Sequence, residues 1–314
     1  MGTTSGVDDV LLPVTEPPTA RVRALGKAIE AWGSNGGGTT RRDDLPWRST
    51  RDPWAVMVSE TLAQQTQISR VIPAFHRFLD LFPDPSACAS APLGDVLMAW
   101  EGLGYNRRAR DLHRAATIVV AEHGGAVPDS LDALLALPGV GPYTARAVLA
   151  FAFEHDVGVI DTNAGRVLSR AASGSCLMPA AAQALVDAMV PPGRGWSFGQ
   201  ALLDLGATVC TARTPDCSAC PLRRRCTWSK AGRPDPDPAS GSAGVSVAQS
   251  RFAGSDRQGR GRVVAALRRG PLPAGALASA AGWPDDTDRA VRIAEGLMAE
   301  GLVVRDGIGT MRLP

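Results

Sequence analysis

The sequence predicts an all-α protein that ends in a small module of three helices and a hairpin. Three observations predict it. Across residues 45–226 the apolar side chains recur at three- and four-residue steps, the period of a helix. Four cysteines crowd into the last 17 positions of that stretch. Beyond them the composition turns to Pro, Asp, Ser, Gly and Ala, and then helical spacing resumes.

In chain order, residues 1–20 are rich in Pro and Thr and carry no period, so they are expected to be a disordered tail. Residues 22–32 predict a first helix, followed by a loop with Gly33 and the run Gly36-Gly37-Gly38. Trp54, Val58 and Leu62 share one helix face. Val71, Phe75, Phe78, Leu79 and Phe82 share another. A short helix is expected over 130–137, and Pro142 sits where a first-turn proline belongs, ahead of a helix over 143–153. The apolar run 157–160 is too short to establish a sheet. Residues 231–256 have the composition of a linker. Residues 258–269, 274–281 and 286–300 predict three helices, and the turn Asp306-Gly307-Ile308-Gly309 predicts a hairpin. That order is the order of a winged helix-turn-helix.

Composition bounds the function. With 314 residues, 45% hydrophobic and 20% charged, the chain has room for about two packed domains. No apolar run approaches the ~20 residues of a membrane span, and the first 18 residues carry Asp8, Asp9 and Glu16 rather than a secretion signal. A cytoplasmic monomer is expected. The net charge of +2 does not by itself demand a polyanionic partner. Of 33 basic residues only Lys27 and Lys230 are lysine; the arginines suit bidentate phosphate contacts.

Three motifs carry chemistry. Cys210, Cys217, Cys220 and Cys226 have the spacing C-x6-C-x2-C-x5-C, able to hold either zinc or a [4Fe–4S] cluster. Arg213, Arg223, Arg224, Arg225 and Lys230 surround them, a candidate phosphate-binding face. Next, Leu137-Pro138-Gly139-Val140-Gly141-Pro142-Tyr143 joins two helical segments. Gly139, Val140 and Gly141 permit a tight hairpin whose N–H groups, with the next helix's positive end, can hold a phosphate. Third are two carboxylates, Glu60 in an otherwise apolar helix turn and Asp161 after an apolar run. Cleaving an N-glycosidic bond needs such a pair. One acid, favoured by apolar surroundings, protonates the leaving base. The other stays ionised against an oxocarbenium-like sugar.

Together and in this order, these motifs resemble the endonuclease III-type, helix-hairpin-helix DNA glycosylases, most nearly the A/G-specific adenine glycosylases of the MutY type. Leu45-Pro46-Trp47-Arg48, Asp52-Pro53-Trp54, Ser59-Glu60 and Gln64-Gln65-Thr66-Gln67 carry the likeness. So do Gly102-Leu103-Gly104-Tyr105 with Arg107, Arg108 and Arg110, and Phe198-Gly199-Gln200-Ala201 through Asp204-Leu205-Gly206-Ala207 to Cys210. The resemblance implies a two-lobed helical fold over residues 21–230. One lobe spans 45–153; the other joins 21–44 to 154–230, with a cluster loop at 210–226. It also implies a [4Fe–4S] cofactor on the four cysteines. Glu60 and Asp161 would be the catalytic acids, with Tyr143 and Asn163 supporting them. Trp47, Arg48 and Gln200 would line the base pocket. Gln64, Gln65, Thr66 and Tyr105 would meet the duplex, with Gln65 and Tyr105 entering it, and Gly139, Val140, Gly141 and Arg223, Arg224 and Arg225 would grip its backbone. The implied partner is double-stranded DNA holding adenine opposite 8-oxoguanine or guanine.

The sequence departs from the family pattern at Asn106, where tyrosine is usual, at Thr162, where glycine is usual, and at Ala63, where a larger apolar residue is usual. About 58 residues follow the 231–256 segment, too few for the nudix-like reader of well-known members, so the 257–314 module is expected to tune recognition. An endonuclease III-like glycosylase/lyase acting on oxidised pyrimidines needs a Schiff-base amine. The family's lysine falls at Tyr143, which has none. A non-catalytic iron–sulfur DNA-binding regulator would need neither carboxylate.

Overall fold

The computed structural model describes residues 19–36, 42, 44–245 and 251–314; the expected tail over 1–18 and most of the Gly36-Gly37-Gly38 loop lie outside them. The helices, in order, are α1 (Ala20–Ser34), α2 (Pro53–Ala63), α3 (Ile68–Leu81), α4 (Pro85–Ser90), α5 (Leu93–Ala99) and α6 (Arg107–His123). Next come α7 (Leu131–Ala136), α8 (Pro142–Phe151), α9 (Thr162–Val167), α10 (Pro179–Met189), α11 (Gly195–Asp204) and α12 (Thr227–Lys230). The last are α13 (Asp256–Arg269), α14 (Leu277–Ala281) and α15 (Thr287–Ala299), then strands β1 (Val304–Arg305) and β2 (Met311–Arg312). Among the described residues no helix is long and apolar enough to cross a membrane.

The chain divides into two compact units. One holds Met1–Arg41 with Asp156–Ser246, and the other Arg42–His155 with Val247–Pro314. In the first, α1 packs on α10 and α11. Leu25, Ile29, Val167, Leu168, Phe198, Leu202 and Leu205 fill its core. Each such side chain contributes about 1.5–3 kcal/mol by leaving water. π-helical turns extend α9 over Leu168–Ser173 and α11 over Leu205–Val209. Such turns re-aim side chains; these two carry Arg170 and lead into Cys210.

In the second unit α2 is the central helix. Asp52 caps it, accepting from the Trp54 amide at 3.0 Å, and Pro53 fits its first turn because that position has no helical N–H partner. Trp54–Leu62 are buried without a break, so this helix has no solvent face. It packs between α3 and α8. Phe78 of α3 meets Trp100 edge-on at 5.8 Å.

The segment expected to be a linker differs from that expectation over residues 233–245. Asp237 pairs with Arg170, Ala239 and Ser242 are buried, and the Ala243 amide donates to the Leu177 carbonyl at 2.8 Å. Pro, Ser and Gly are also the residues of a fitted strap, and here its polar groups find partners on the first unit.

The C-terminal residues are not a separate body. They share one compact unit with Arg42–His155. The amide of Gly94 donates to the Pro314 carbonyl at 2.9 Å, and Arg268 donates to the Leu97 carbonyl at 2.9 Å. Within the segment α13 and α15 pack on α14 and on each other. β1 and β2 pair antiparallel, Val304 opposite Arg312. The linker composition over 231–256 suggested independence; Arg268 of α13 instead finds a carbonyl acceptor on α5, and the chain end supplies one to the Gly94 amide.

Candidate active site

Glu60 lies in the last full turn of α2 and is buried, 8% exposed. Its neighbours Ser59 and Thr61 turn their hydroxyls back to the Val56 and Met57 carbonyls, both at 2.8 Å, so neither draws solvent into the helix. The helix ends at Gln64, whose amide donates to the Thr144 hydroxyl of α8 at 3.3 Å.

Gln65 and Tyr105 share an uncommon backbone. Gln65 has φ +55° and Tyr105 φ +47°, and both are exposed. A left-handed conformation is costly for a residue with a Cβ and persists only where its surroundings over-determine it. Arg108 does much of that. Its guanidinium donates to the Thr61 and Leu62 carbonyls at 2.8 and 3.0 Å, closing the end of α2. It also reaches the Thr66 hydroxyl at 3.1 Å and the Leu103 and Gly104 carbonyls at 3.1 and 3.2 Å. Its charge lies over the Trp100 and Tyr105 rings at 5.4 and 5.6 Å. Burial lowers its pKa to about 10, which leaves it charged at neutral pH. Arg108 thus ties both exposed tips to α2. The sequence showed it only as one arginine among three. Arg108→Met should release both tips and cost about 2–4 kcal/mol of stability, because several carbonyls lose a charged donor. A urea melt beside a duplex-binding titration checks this, with the loss of binding exceeding what the unfolded fraction explains.

The hairpin runs from α7 to α8. Ser130 caps α7, and Gly139 takes φ +77° at the turn. A side chain at Gly139 would meet Asp111 at 2.9 Å. Gly141 caps α8 and Val140 is buried. The first N–H groups of α8 have no acceptor within the helix and face the turn. Tyr143, second in α8, is half-buried. Trp47 and Arg48 sit on a short 3-10 turn over Pro46–Arg48, with the indole edge-on to Phe75 at 5.6 Å.

Asp161 caps α9 in the other unit. One carboxylate oxygen accepts from the Asn163 and Ala164 amides at 2.7 Å each; the other accepts from the Asn163 side chain at 2.8 Å. Burial pushes the carboxyl's pKa up, and these donors together with the Arg166 charge pull against it. Arg166 donates to the Asn163 side-chain oxygen at 2.8 Å and to the Gly206 and Cys210 carbonyls at 2.6 Å. Gly206 is required by close approach, since a Cβ there would lie 2.6 Å from the Asn163 backbone. Thr162, the departure from the family pattern, donates to the Gly244 carbonyl of the strap at 2.7 Å. Gln200 is buried in α11 of this same unit. The catalytic and pocket candidates are therefore divided: Glu60, Tyr143, Trp47 and Arg48 on one unit, Asp161, Asn163 and Gln200 on the other.

Cys210, Cys217, Cys220 and Cys226 line one cavity, walled by Val167, Leu205, Leu222 and Trp228. Burial raises the thiols of Cys210, Cys226 and Cys220, the last to about 11. Arg170 opposes this at Cys210, donating to its sulfur at 3.6 Å from above the Trp228 ring. Among the described residues no three His, Cys, Asp or Glu side chains close on a point that one metal ion could occupy. Four thiols lining one cavity are a donor set able to hold a metal ion or an iron–sulfur cluster. Arg223, Arg224 and Arg225 are exposed on the same loop.

Residues 58–184 match the helix-hairpin-helix superfamily of base excision DNA repair proteins. An adenine DNA glycosylase of Mycobacterium tuberculosis (strain H37Rv) is 43% identical over 279 residues, covering 86% of this chain and 89% of the relative. A match of that length reaches the C-terminal segment wherever it begins. The human adenine DNA glycosylase is 41% identical over 58% of this chain and 36% of its own length. A thermostable thymine-DNA glycosylase superposes with TM-score 0.62 at 29% identity, over 67% of this chain and 97% of that one. Endonuclease III in a trapped covalent DNA complex superposes with TM-score 0.56 at 22% identity, over 68% of this chain and 99% of that one, and bears on the fold alone.

Proposed function

Given that this chain belongs to the adenine DNA glycosylase family of helix-hairpin-helix base excision repair proteins, we propose that it excises adenine paired with 8-oxoguanine or guanine, with Glu60 and Asp161 as its catalytic carboxylates. DNA is the partner and hydrolysis of the N-glycosidic bond the reaction. The observation that carries the roles is Asp161, a half-buried acid with both oxygens fixed by three N–H donors.

The target adenosine leaves the stack, because its glycosidic carbon is shielded inside the duplex. Glu60, protonated, gives its proton to the base as the C–N bond breaks and the bonding pair leaves with adenine. The sugar becomes an oxocarbenium ion, and the Asp161 charge stabilises it. The Glu60 carboxylate then takes the proton from the water that adds to the sugar carbon, which returns the acid. Tyr143 and Asn163 orient the two acids, and Trp47, Arg48 and Gln200 shape the base pocket. Gln64 and Thr66 flank the entering Gln65, and the Gly139-Val140-Gly141 turn grips phosphate.

Cys210, Cys217, Cys220 and Cys226 would hold a [4Fe–4S] cluster. Bound there, it supplies a rigid node that sets the exposed arginines of its loop against the DNA backbone. Replacing Cys220 by Ser should lower duplex affinity about tenfold, the effect of losing one or two phosphate contacts at moderate salt, with little change in helix content. Iron analysis should give about four irons per chain in the native protein. Stoichiometric zinc in samples prepared with and without air would overturn the assignment.

The enzyme is monofunctional in this reading, since Tyr143 offers no amine and the two lysines lie at Lys27 and Lys230. The decisive experiment is single-turnover excision from duplexes holding A:8-oxoguanine, A:G or an oxidised pyrimidine, with borohydride added to a parallel series. Adenine release without a trapped protein–DNA adduct is expected. Lysine-dependent strand cutting coupled to pyrimidine release would replace this reading with the glycosylase/lyase one.

A further inference from the structure

Asn106, the departure beside Tyr105, has its partner in the C-terminal segment. Its side-chain oxygen accepts from Arg268 at 3.0 Å, and the same guanidinium holds the Leu97 carbonyl at the end of α5. Glu300, which follows α15, pins the other side of the turn. Its carboxylate accepts from Arg107 and from Arg260, and its carbonyl accepts from Arg110 at 2.8 Å. Arg107 and Arg110 belong to the first turn of α6, directly after Tyr105. Glu300 is 14% exposed. Hydrogen bonding from Arg107 and the Arg260 charge hold its carboxyl below the ordinary range, so it is ionised at neutral pH. Finally, Arg257, in the first turn of α13, reaches the Tyr105 phenol oxygen at 3.3 Å.

These contacts converge on one residue. Tyr105 is 43% exposed and sits at φ +47°. An exposed aromatic in a strained backbone does not hold itself there; packed neighbours must. Arg108 grips the turn from the side of α2, and the C-terminal segment grips it from the other side.

We propose that Glu300 and Arg268 are positioning residues for Tyr105, and that the C-terminal segment holds the turn over 104–110 in the conformation that aims the phenol ring at duplex DNA. The proposal rests on the reading that Tyr105 enters the duplex. It gives the segment a part in recognising the mispair with no contact to the reacting atoms. Pre-organising the ring removes an ordering cost from binding, so the effect falls on affinity more than on the chemical step.

The test uses full-length protein and a duplex holding A:8-oxoguanine. Kd and the saturated single-turnover rate are measured for the wild type, Glu300→Gln, Tyr105→Ala and the double variant. Glu300→Gln keeps the shape, removes the charge from both contacts and turns one acceptor oxygen into an NH₂ group facing an arginine. It should raise Kd about tenfold and change the saturated rate less than Kd. In the Tyr105→Ala background the same substitution should change Kd less than about twofold, because the brace acts through the ring. Equal costs in both backgrounds, or an unchanged Kd in a folded Glu300→Gln protein, would overturn the proposal. If circular dichroism shows Glu300→Gln unfolded, Asn106→Ala removes the acceptor of Arg268 on the turn and carries the same two expectations. Tyr105→Ala binding as tightly as wild type would defeat the duplex-entry reading itself. A weakened Tyr105→Ala beside an unaffected Glu300→Gln would defeat only the positioning.

Discussion

Glu60→Gln should bind a mismatched duplex and fail to release adenine. The amide matches the carboxyl in volume, and in the buried last turn of α2 it has the same space. It has no proton acidic enough to give to a leaving base and cannot take one from water. General acid–base help is worth about 10²–10⁴-fold, and Glu60 is used in both halves of the reaction, so the single-turnover rate should fall by at least that factor. Stability should move by no more than about 1–2 kcal/mol, since no cavity is opened. Excision within tenfold of wild type at saturating protein would remove Glu60 from the mechanism.

Asp161 is a harder case, because it has a real structural role as the cap of α9. Asparagine and alanine separate that role from chemistry. Asparagine caps as well as aspartate, and its oxygen can still accept from the Asn163 and Ala164 amides. Alanine loses the cap and about 0.5–2 kcal/mol. Burial, which raises the Asp161 pKa, means that folding stability is lost as the pH climbs from the ordinary carboxylate range to that raised value, above which the folded carboxyl is ionised. The sign follows from proton binding: a carboxyl with a raised folded pKa favours folding while protonated and loses that contribution as pH rises. The neutral asparagine avoids the cost, although its NH₂ group would face the Asn163 side-chain NH₂. Asp161→Asn should therefore melt near wild type at neutral pH while its excision rate falls by 10² or more, the scale of one lost electrostatic stabiliser. Asp161→Ala should be equally inactive and less stable. Nearly normal activity in the asparagine variant would leave Asp161 as a cap alone.

The local features of the candidate site are legible in the sequence, for chemical reasons. The spacing of the four cysteines, the Gly-x-Gly turn ahead of Pro142, and an acid inside an apolar helix are local facts of the chain, and local facts appear in sequence. In the structure Asp52, Ser130, Ser255 and Asp286 each supply an acceptor to an otherwise unpaired amide at a helix start.

What needed the fold is every partnership between distant residues. In the sequence Arg108 is one of the three arginines at 107, 108 and 110, and only the packing of α6 against α2 makes it the residue that holds the Gln65 and Tyr105 turns. Thr162 and Asn106 were departures without a reason until Gly244 and Arg268 supplied their partners, 82 and 162 positions away. The 233–245 strap and the C-terminal segment differ from what their composition predicts for one physical cause. Composition reports what a segment can do in water, where Pro, Ser, Gly and Arg favour flexible, solvated chain. It does not report which carbonyls and carboxylates lie within reach once the chain has folded, and those acceptors fixed both segments in place.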